Sequence, residues 1–263
     1  MLRAFAVKCV ALVAALALVW VLPSAWDNAA IAAVVIAAIA FLTYSVVHPR
    51  SQFFVPVVNR LATGDRVIAL TFDDGPDPVV TPRILDVLGA HGARATFFVL
   101  GERAARHPEV IRRIQREGHT IGTHTHRHLI RFHFASPRYV QREIEDAIDV
   151  VTSILATRPT LFRPPQGLRT PQFASGFRRT PGLTCVTWSV RGLDSRATTA
   201  DAIIARVTRG LEPGAIVTLH DGTGLGGASD REPTLAALTT ILRECRTRGL
   251  RCIALDEIGA VAR

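Results

Sequence analysis

The sequence predicts an α/β domain, in which helices cover a mainly parallel sheet, behind an apolar N-terminal region. Three observations support this prediction. From residue 66 onward, short apolar runs alternate with amphipathic stretches, as strands and helices do in parallel α/β folds. Clusters of polar residues directly follow several of the apolar runs. Two long runs with almost no charge occupy the first 50 residues.

Residues 1–50 form a predicted membrane region. Residues 4–22 carry one charge, Lys8, and residues 29–47 carry none. At a rise of about 1.5 Å per residue, each run spans roughly 28 Å, close to the ~30 Å hydrocarbon core of a bilayer. The short polar break between the runs predicts a hairpin of two transmembrane helices. The alternatives are a cleaved signal peptide at the first run, or a single anchor.

The charges that flank these runs predict their orientation. The break between them contains only Asp27, whereas positive residues lie on the other side of each run, at Arg3, Lys8, Arg50, Arg60 and Arg66. Because positive residues favour the cytoplasmic side, both ends are expected inside the cell. The sequence thus predicts a multi-pass inner-membrane protein, in contact with the lipid bilayer, whose main domain faces the cytoplasm. Removal of the first run would instead place that domain outside.

Composition argues against two other classes of protein. The net charge is +9, but Lys8 is the single lysine, and the arginines are scattered without an aromatic-interleaved basic stripe. No nucleic-acid partner is therefore expected, and attraction to anionic lipid explains the charge better. The four cysteines, Cys9, Cys185, Cys245 and Cys252, include no Cys-x-x-Cys pair. They predict neither a disulfide framework nor a zinc–thiolate site.

After a predicted juxtamembrane connector at residues 51–65, the main domain is expected to occupy residues 66–263. Its strands are predicted at residues 67–72, 95–100, 119–122, 160–163, 183–188, 215–219 and 251–255. Amphipathic segments predict helices at residues 81–90, 108–117, 137–155, 171–177, 200–209 and 234–248. Ser136 and Thr199 are expected N-caps, and glycines end three of the helices. Seven strands in this pattern are compatible with a closed barrel.

Polar clusters lie at the carboxyl ends of five predicted strands. They are the Asp73-Asp74 pair, GTHTHRH at residues 122–128, RPPQG at 163–167, residues 188–194, and HDG at 220–222. In a parallel barrel these ends share one face, and such folds build their active sites there. Independent polar turns would not need to choose this end each time.

The histidines of the second cluster indicate a metal site. His124 and His128 share a face of a helix, whereas His124, His126 and His128 would share a face of a strand. In either case two imidazoles can converge on one ion. Two histidines and one carboxylate leave coordination positions open for water and substrate, as a catalytic metal requires.

Four motifs, in their order and spacing, resemble the polysaccharide deacetylases of the NodB-homology type (carbohydrate esterase family 4). They are TFDDGPD at residues 71–77, His-Thr-x-x-His at 124–128, FRPPQG at 162–167 and LHD at 219–221. The resemblance covers about residues 66–257. It implies an irregular (β/α) barrel of about seven parallel strands. It also implies a hydrolase of linear amides that removes an N-acyl group, acetyl or formyl, from an amino sugar.

The resemblance assigns different tasks to the two adjacent carboxylates. Asp74, His124 and His128 would bind a divalent metal, most simply Zn²⁺, with Co²⁺, Ni²⁺ or Mn²⁺ as alternatives. Such an ion lowers the pKa of bound water from about 15.7 toward about 7, so that hydroxide is available at neutral pH. Asp73 would be the general base that accepts the proton of this water.

The resemblance also implies roles in protonating the leaving group and binding the sugar. Arg163 would orient Asp73, His220 would protonate the departing amine, and Asp194 would orient His220. A backbone N–H near residues 165–166 would stabilise the oxyanion. The expected substrate-binding residues are Pro165, Gln166, Gly167 and Leu219.

The chain departs from the family pattern at several positions. Gln166 replaces a usual aromatic residue, and Thr218 begins the late motif in place of leucine. In the fourth motif, Arg191 and Ser195 stand where Asp and Trp are usual, while Asp194 is retained. These changes leave the metal ligands intact and concern substrate preference and rate. They also keep open a catalytically impaired, membrane-tethered glycan-binding relative as an alternative.

The side of the membrane on which the domain lies decides which substrate is expected. A cytoplasmic domain cannot reach polymeric cell-wall glycan, so an N-acylated lipid-linked saccharide is expected there. A domain outside the membrane would instead meet peptidoglycan or another envelope glycan.

Overall fold

A curled half-barrel of parallel strands forms the centre of the domain. The computed structural model describes residues 28–196, 198–223 and 231–256. Its strands are β1 (Val67–Asp73), β2 (Thr96–Val99), β3 (Thr120–Thr123), β4 (Leu161–Phe162), β5 (Thr184–Cys185), β6 (Val190–Arg191), β7 (Ile216–His220) and β8 (Arg251–Ile253). Seven strands lie in the order β5-β4-β3-β2-β1-β7-β6, and β8 pairs with the start of β1. All these pairings are parallel, which confirms the predicted fold class.

One helix precedes β1, and helices connect the successive strands except β5 and β6. They are α1 (Asn28–Val47), α2 (Val80–Ala90), α3 (Gly101–Arg106), α4 (Pro108–Arg116), α5 (Pro137–Leu155), α6 (Pro171–Phe177), α7 (Ala200–Arg209) and α8 (Glu232–Thr247), with 3-10 turns at Ile130–Phe134 and Pro165–Gly167. The side chains of Ser136 and Thr199 accept hydrogen bonds from the N–H groups of Tyr139 and Ala202, so both predicted N-caps are confirmed. The sequence did not predict α3 or β6, because elements this short show no periodicity.

Strand β1 shows how the sheet separates the hydrophobic core from a polar mouth. All seven of its residues are buried. One row of side chains joins the main core with α2, α4, α7 and α8: Ile68, Leu70 and Phe72. Because side chains alternate along a strand, Val67, Ala69, Thr71 and Asp73 face the inside of the half-barrel. The inner row turns from apolar to polar toward its carboxyl end, which places Asp73 at the mouth.

The segment between α1 and β1 packs along the open side of the sheet. Val58 forms a parallel bridge with Val186, and Arg60 forms an antiparallel bridge with Ala215. The segment therefore spans the gap between β5 and β7. We propose that residues 51–65, predicted as a connector, belong to the folded domain.

Among the described residues, α1 is the one helix with the length and composition to cross a membrane. Its window Ala30–Val47 has a mean hydropathy of 2.5, and 6% of the window is buried. Only its last turns contact the domain, where Leu42 and Val46 pack against a phenylalanine-rich cluster. The other predicted span, residues 4–22, lies outside the described residues, so the two-helix hairpin stays a prediction.

Candidate active site

The loop after β1 turns two adjacent carboxylates in different directions. Asp73 ends the strand, whereas Asp74 has a φ of 75°, in the left-handed region that aspartate tolerates better than most residues. The carboxylate of Asp73 contacts Arg163, and that of Asp74 faces His124 and His128. The two carboxylates therefore have separate surroundings.

Asp74, His124 and His128 converge on a common point. Asp74 Oδ1 lies 3.5 Å from His124 Nε2 and 3.4 Å from His128 Nε2, and the three donor atoms all lie within 4.8 Å of one another. All three residues are buried. Within the described part of the chain, Asp74 Oδ1 has no hydrogen-bond partner. A buried carboxylate oxygen without a partner is costly unless a cation completes its surroundings.

The imidazole of His124 is oriented to bind such a cation. His124 Nδ1 lies 2.8 Å from the backbone oxygen of Arg163, so Nδ1 carries the proton and Nε2 offers its lone pair to the site. Burial lowers the pKa of His124 to about 4, which keeps the imidazole neutral. One carboxylate oxygen and two imidazole nitrogens suit a divalent transition metal. The residues present therefore fit a metal of this class.

The loop after β3 brings the two histidines together by unusual backbone angles. Thr125 has a φ of 75° and His128 a φ of 55°, and the His128 N–H donates to Thr125 Oγ1 at 3.0 Å. The third histidine of the motif, His126, does not join this group. It lies instead against Gly101, where a Cβ would come 2.5 Å from His126 Nδ1.

Arg163 holds Asp73 in its ionised form. The Nη1 group of Arg163 donates to Asp73 Oδ1 at 2.7 Å, and its guanidinium lies 4.1 Å from the centre of the Phe98 ring. Burial alone would raise the pKa of Asp73, but the charge and hydrogen bond of Arg163, together with His124 and His220, outweigh burial and hold that pKa below its usual value. The ion pair thus keeps a carboxylate charged inside the fold.

His220 and Asp194 form a second charged pair, at the carboxyl end of the neighbouring strand β7. His220 Nδ1 lies 2.8 Å from Asp194 Oδ1, and the His220 backbone N–H donates to Asp194 Oδ2 at 2.9 Å. Burial lowers the pKa of His220, but the charge and hydrogen bond of Asp194, together with the charges of Asp74 and Asp73, outweigh burial and raise it to about 9. His220 is therefore protonated at neutral pH. The structure places the retained aspartate of the fourth motif against His220.

The side chains of strand β7 alternate between the cleft and the outer core. Thr218 and His220 line the cleft, whereas Leu219, predicted to bind substrate, is buried in the outer core. Strand alternation requires this separation. Thr218, noted as a departure from the family pattern, accepts a hydrogen bond from Arg163 Nη1 at 2.7 Å.

The other predicted substrate-binding residues lie in the turn at residues 165–167. Gln166 lines the cleft, and its Oε1 lies 2.9 Å from His133 Nε2. Pro165 is buried. Gly167 has a φ of 69°, and a Cβ at this position would collide with the ring of Trp188. The turn thus packs against Trp188 only because Gly167 has no side chain.

The cleft above these groups has a volume of about 400 Å³. Besides the predicted site residues Asp73, Asp74, His124, His128, Gln166 and His220, it is lined by several that were not assigned to the site. These are Trp188, Arg191, Ser195, Arg196, Thr223 and Arg231, together with Thr218. Three of these seven residues are arginines, so the part of the lining that sequence reasoning did not assign is rich in positive charge.

Two buried polar residues near the cleft carried no predicted role. Arg231 donates to the backbone oxygens of Gly222 and Asp194, at 3.0 and 2.6 Å. Asp221 accepts from Thr81 Oγ1 at 2.6 Å, and burial raises its pKa to about 7. The position of Asp221 inside the LHD motif was a usable signal. Arg231 had none, because it belongs to no motif and its contacts are distant in sequence.

Comparison with known proteins places the chain in a family. Residues 60–181 match the family model for polysaccharide deacetylase. A peptidoglycan-N-acetylglucosamine deacetylase from Bacillus cereus is 36% identical over 205 residues, covering 77% of this chain and 92% of the relative. A chitooligosaccharide deacetylase from Bradyrhizobium sp. is 37% identical over 205 residues, covering 74% and 92%.

A solved structure agrees with these relatives. The Bc1960 peptidoglycan N-acetylglucosamine deacetylase superposes with a TM-score of 0.70 at 31% identity, over 76% of this chain and 91% of that one. The predicted resemblance and the enzyme class, an amide hydrolase of the polysaccharide deacetylase type, are thereby confirmed. On the agreement of motifs, fold and identity over nearly the full length of its relatives, the chain belongs to the polysaccharide deacetylase family.

Proposed function

We propose that this chain is a metal-dependent deacetylase that removes the N-acetyl group from an amino sugar of a saccharide at the membrane. The observation that carries the proposal is a base and an acid that line one cleft together with a candidate metal group. Asp73 and His220 are register partners on β1 and β7, and both line the cleft with the metal group. The relatives are named for N-acetylglucosamine in peptidoglycan and for chitooligosaccharide, which supports an N-acetylated sugar as substrate.

We assign a divalent metal, Zn²⁺ as first choice, to Asp74, His124 and His128. When bound, such an ion polarises the amide carbonyl and makes water a stronger acid. The protein contributes a neutral His124 and an unpaired carboxylate oxygen on Asp74, both held by buried surroundings. Little rearrangement is needed to bind the ion, since the donor atoms already converge.

Asp73 acts as the general base in this proposal. Arg163 occupies Oδ1 of Asp73, which leaves Oδ2 to accept a proton from the attacking water. Because the pKa of Asp73 is held below its usual value, the base is ionised throughout the neutral range. Arg163 is itself held by Thr71 and Thr218, at 2.7 Å each, so the direction of the base is well defined.

His220 supplies the proton that the departing amine needs. Its Nδ1–H donates to Asp194, so the Nε2–H is the group available to the cleft. An amine leaves readily only after protonation, and a pKa of about 9 keeps this proton in place at neutral pH. Pro165 has no N–H, so we assign the Gln166 backbone N–H as the donor to the developing oxyanion.

We further propose that α1 anchors the domain in the membrane and that the domain faces the cytoplasm. Arg50, Arg60 and Arg66 follow the apolar run, which favours that side. The substrate within reach is then a lipid-linked N-acetylated saccharide. A reporter fused after Arg263 tests this placement. Reporter activity on the outer side alone would overturn it and indicate an envelope glycan such as peptidoglycan.

The catalytic proposal is tested by acetate release. Full-length protein in detergent, loaded with Zn²⁺, is expected to release acetate from N-acetylglucosamine oligosaccharides, and Asp73→Asn serves as the inactive control.

A second candidate, a glycan-binding relative without turnover, is favoured by the altered fourth motif with Arg191 and Ser195. Stoichiometric metal with saccharide binding and no acetate from a broad panel of N-acetylated sugars would establish this second candidate.

A further inference from the structure

Strand β6 and the loop after it carry two arginines that the proposed mechanism does not use. Arg191 is the register neighbour of Thr218 on β7, and both residues line the cleft. The guanidinium of Arg191 lies 5.4 Å from the centre of the Trp188 ring. Arg196 is exposed and lines the same cleft. Two positive side chains therefore meet at one edge of the candidate active site.

Neither arginine is neutralised within the part of the chain that the structure describes. No ion pair there includes Arg191 or Arg196, and the buried Nε of Arg191 has no hydrogen-bond partner. The other arginines beside the cleft are engaged differently. Arg163 pairs with Asp73, and Arg231 donates to backbone oxygens. Within the described residues, Arg191 and Arg196 are thus the cleft-lining arginines that have neither an ion pair nor a backbone acceptor.

The two guanidinium groups also oppose each other. Burial first, and then repulsion by Arg196, lower the pKa of Arg191. The nearby carboxylates of Asp73 and Asp194 are already paired with Arg163 and His220. An anion bound at both arginines would relieve the repulsion and use the unpartnered Nε. Guanidinium groups suit this task, because their planar donors match the oxygens of a phosphate or a carboxylate.

We infer that Arg191 and Arg196 form a subsite for an anionic group carried by the N-acetylated sugar. The inference rests on the proposed function and narrows its substrate class to N-acetylated saccharides that carry an anionic group. The reversal of charge relative to the usual Asp of the fourth motif fits a different substrate preference in this chain. A phosphate would come from a lipid-linked saccharide, and a carboxylate from a glycan that contains N-acetylmuramic acid.

The test compares three N-acetylated saccharides on full-length, Zn²⁺-loaded protein in detergent. They are a neutral N-acetylglucosamine oligosaccharide, N-acetylglucosamine 1-phosphate, and an oligosaccharide that contains N-acetylmuramic acid. We expect one anionic saccharide to exceed the neutral one in kcat/KM by about tenfold, equivalent to about 1.4 kcal/mol, mainly through KM. The preferred saccharide then identifies the source of the anion.

Substitutions of Arg191 test whether the preference for an anionic saccharide arises from the proposed subsite. Arg191→Gln should abolish the preference, and Arg191→Lys should retain part of it, because charge survives while the planar donors are lost. Arg112→Gln, an exposed arginine on α4, is the control for net charge and should keep the preference. A preference that is absent in the wild type, or unchanged in Arg191→Gln, overturns the inference. If Arg191→Gln unfolds at lower temperature, the exposed Arg196→Gln takes its place.

Direct binding separates this inference from the proposed function. If the wild type releases acetate from none of the three saccharides, the proposed function fails, and the subsite is then decided by calorimetric titration of the same saccharides. Tighter binding of an anionic saccharide that is lost in Arg191→Gln supports the subsite. Equal binding of all three, or no binding, overturns it.

Discussion

The two sides of the cleft differ in charge and in how closely they follow the family's motifs. On the side of β1 and β3, Asp74 has a carboxylate oxygen without a hydrogen-bond partner, and the His124 imidazole is neutral. On the side of β6 and β7, Arg191, Arg196 and a protonated His220 bring positive charge. The first side keeps the family's ligand residues, and the second departs from its pattern. The difference indicates that the candidate metal ligands and the positions that depart from the family pattern lie at the ends of separate strands.

Loss of a metal ligand should give the largest effect. We expect His124→Ala to lose both bound metal and activity, because it removes one of three converging donors. Metal content by elemental analysis and acetate release measure the two losses. His126→Ala is the matched control, since His126 lies outside the metal group, and it should keep its metal. Retention of stoichiometric metal in His124→Ala would refute the ligand assignment.

Loss of the proposed base, Asp73, should lower the rate of deacetylation without loss of bound metal. Asp73→Asn removes the proton acceptor, so kcat should fall about 10²- to 10⁴-fold while metal content stays at the wild-type level. Thermal unfolding is measured in parallel, because the buried Arg163 loses its charged partner. Equal loss of metal in Asp73→Asn and His124→Ala would show that the division of labour between the carboxylates is wrong.

Removing the charge of Asp194, the partner of His220, should alter the pH dependence of kcat/KM. In Asp194→Asn, His220 loses the charge of the carboxylate that its Nδ1 contacts while its burial stays the same, so its pKa falls from about 9. A deprotonated His220 cannot protonate the amine. The alkaline limb of kcat/KM should therefore move to lower pH, and the rate at neutral pH should fall about 100-fold. An alkaline limb at the same pH in both proteins would exclude His220 as the acid.

The smallest expected effect concerns the packing of Gly167 against Trp188, whose ring also lies near Arg191. Gly167→Ala forces a methyl group against Trp188, whereas Gly182→Ala, at a φ of 83°, meets no atom within 4 Å. Both variants carry the strain of a left-handed alanine, so their difference isolates the collision. We expect Gly167→Ala to lose about 1–3 kcal/mol more free energy of unfolding in urea. Equal losses would mean that Trp188 moves aside freely.

Much of the fold was predictable because its signals are local. The helix α5 was predicted with its observed bounds, since Ser136 and Pro137 start it and a long amphipathic pattern continues it. The parallel sheet followed from the alternation of apolar and amphipathic segments. The short elements α3 and β6 have no such periodicity, and only pairing with neighbours reveals them. The bridges of the segment at residues 51–65 likewise depend on distant partners.

For the candidate site, too, some features could be predicted from the sequence and others depend on contacts between distant residues. The polar clusters at the ends of the predicted strands contained Asp73, Asp74, His124, His128, Arg163 and His220, and the resemblance of their motifs to the polysaccharide deacetylases assigned their roles. Their directions came from the fold, through the left-handed backbone of Asp74 and His128 and the alternation that turns Leu219 into the core. The hydrogen bonds of Arg231, and the lack of a described hydrogen-bond partner for Arg191 Nε, also follow from tertiary structure. Composition and order are properties of the chain itself, whereas direction and pairing arise only when distant segments pack together.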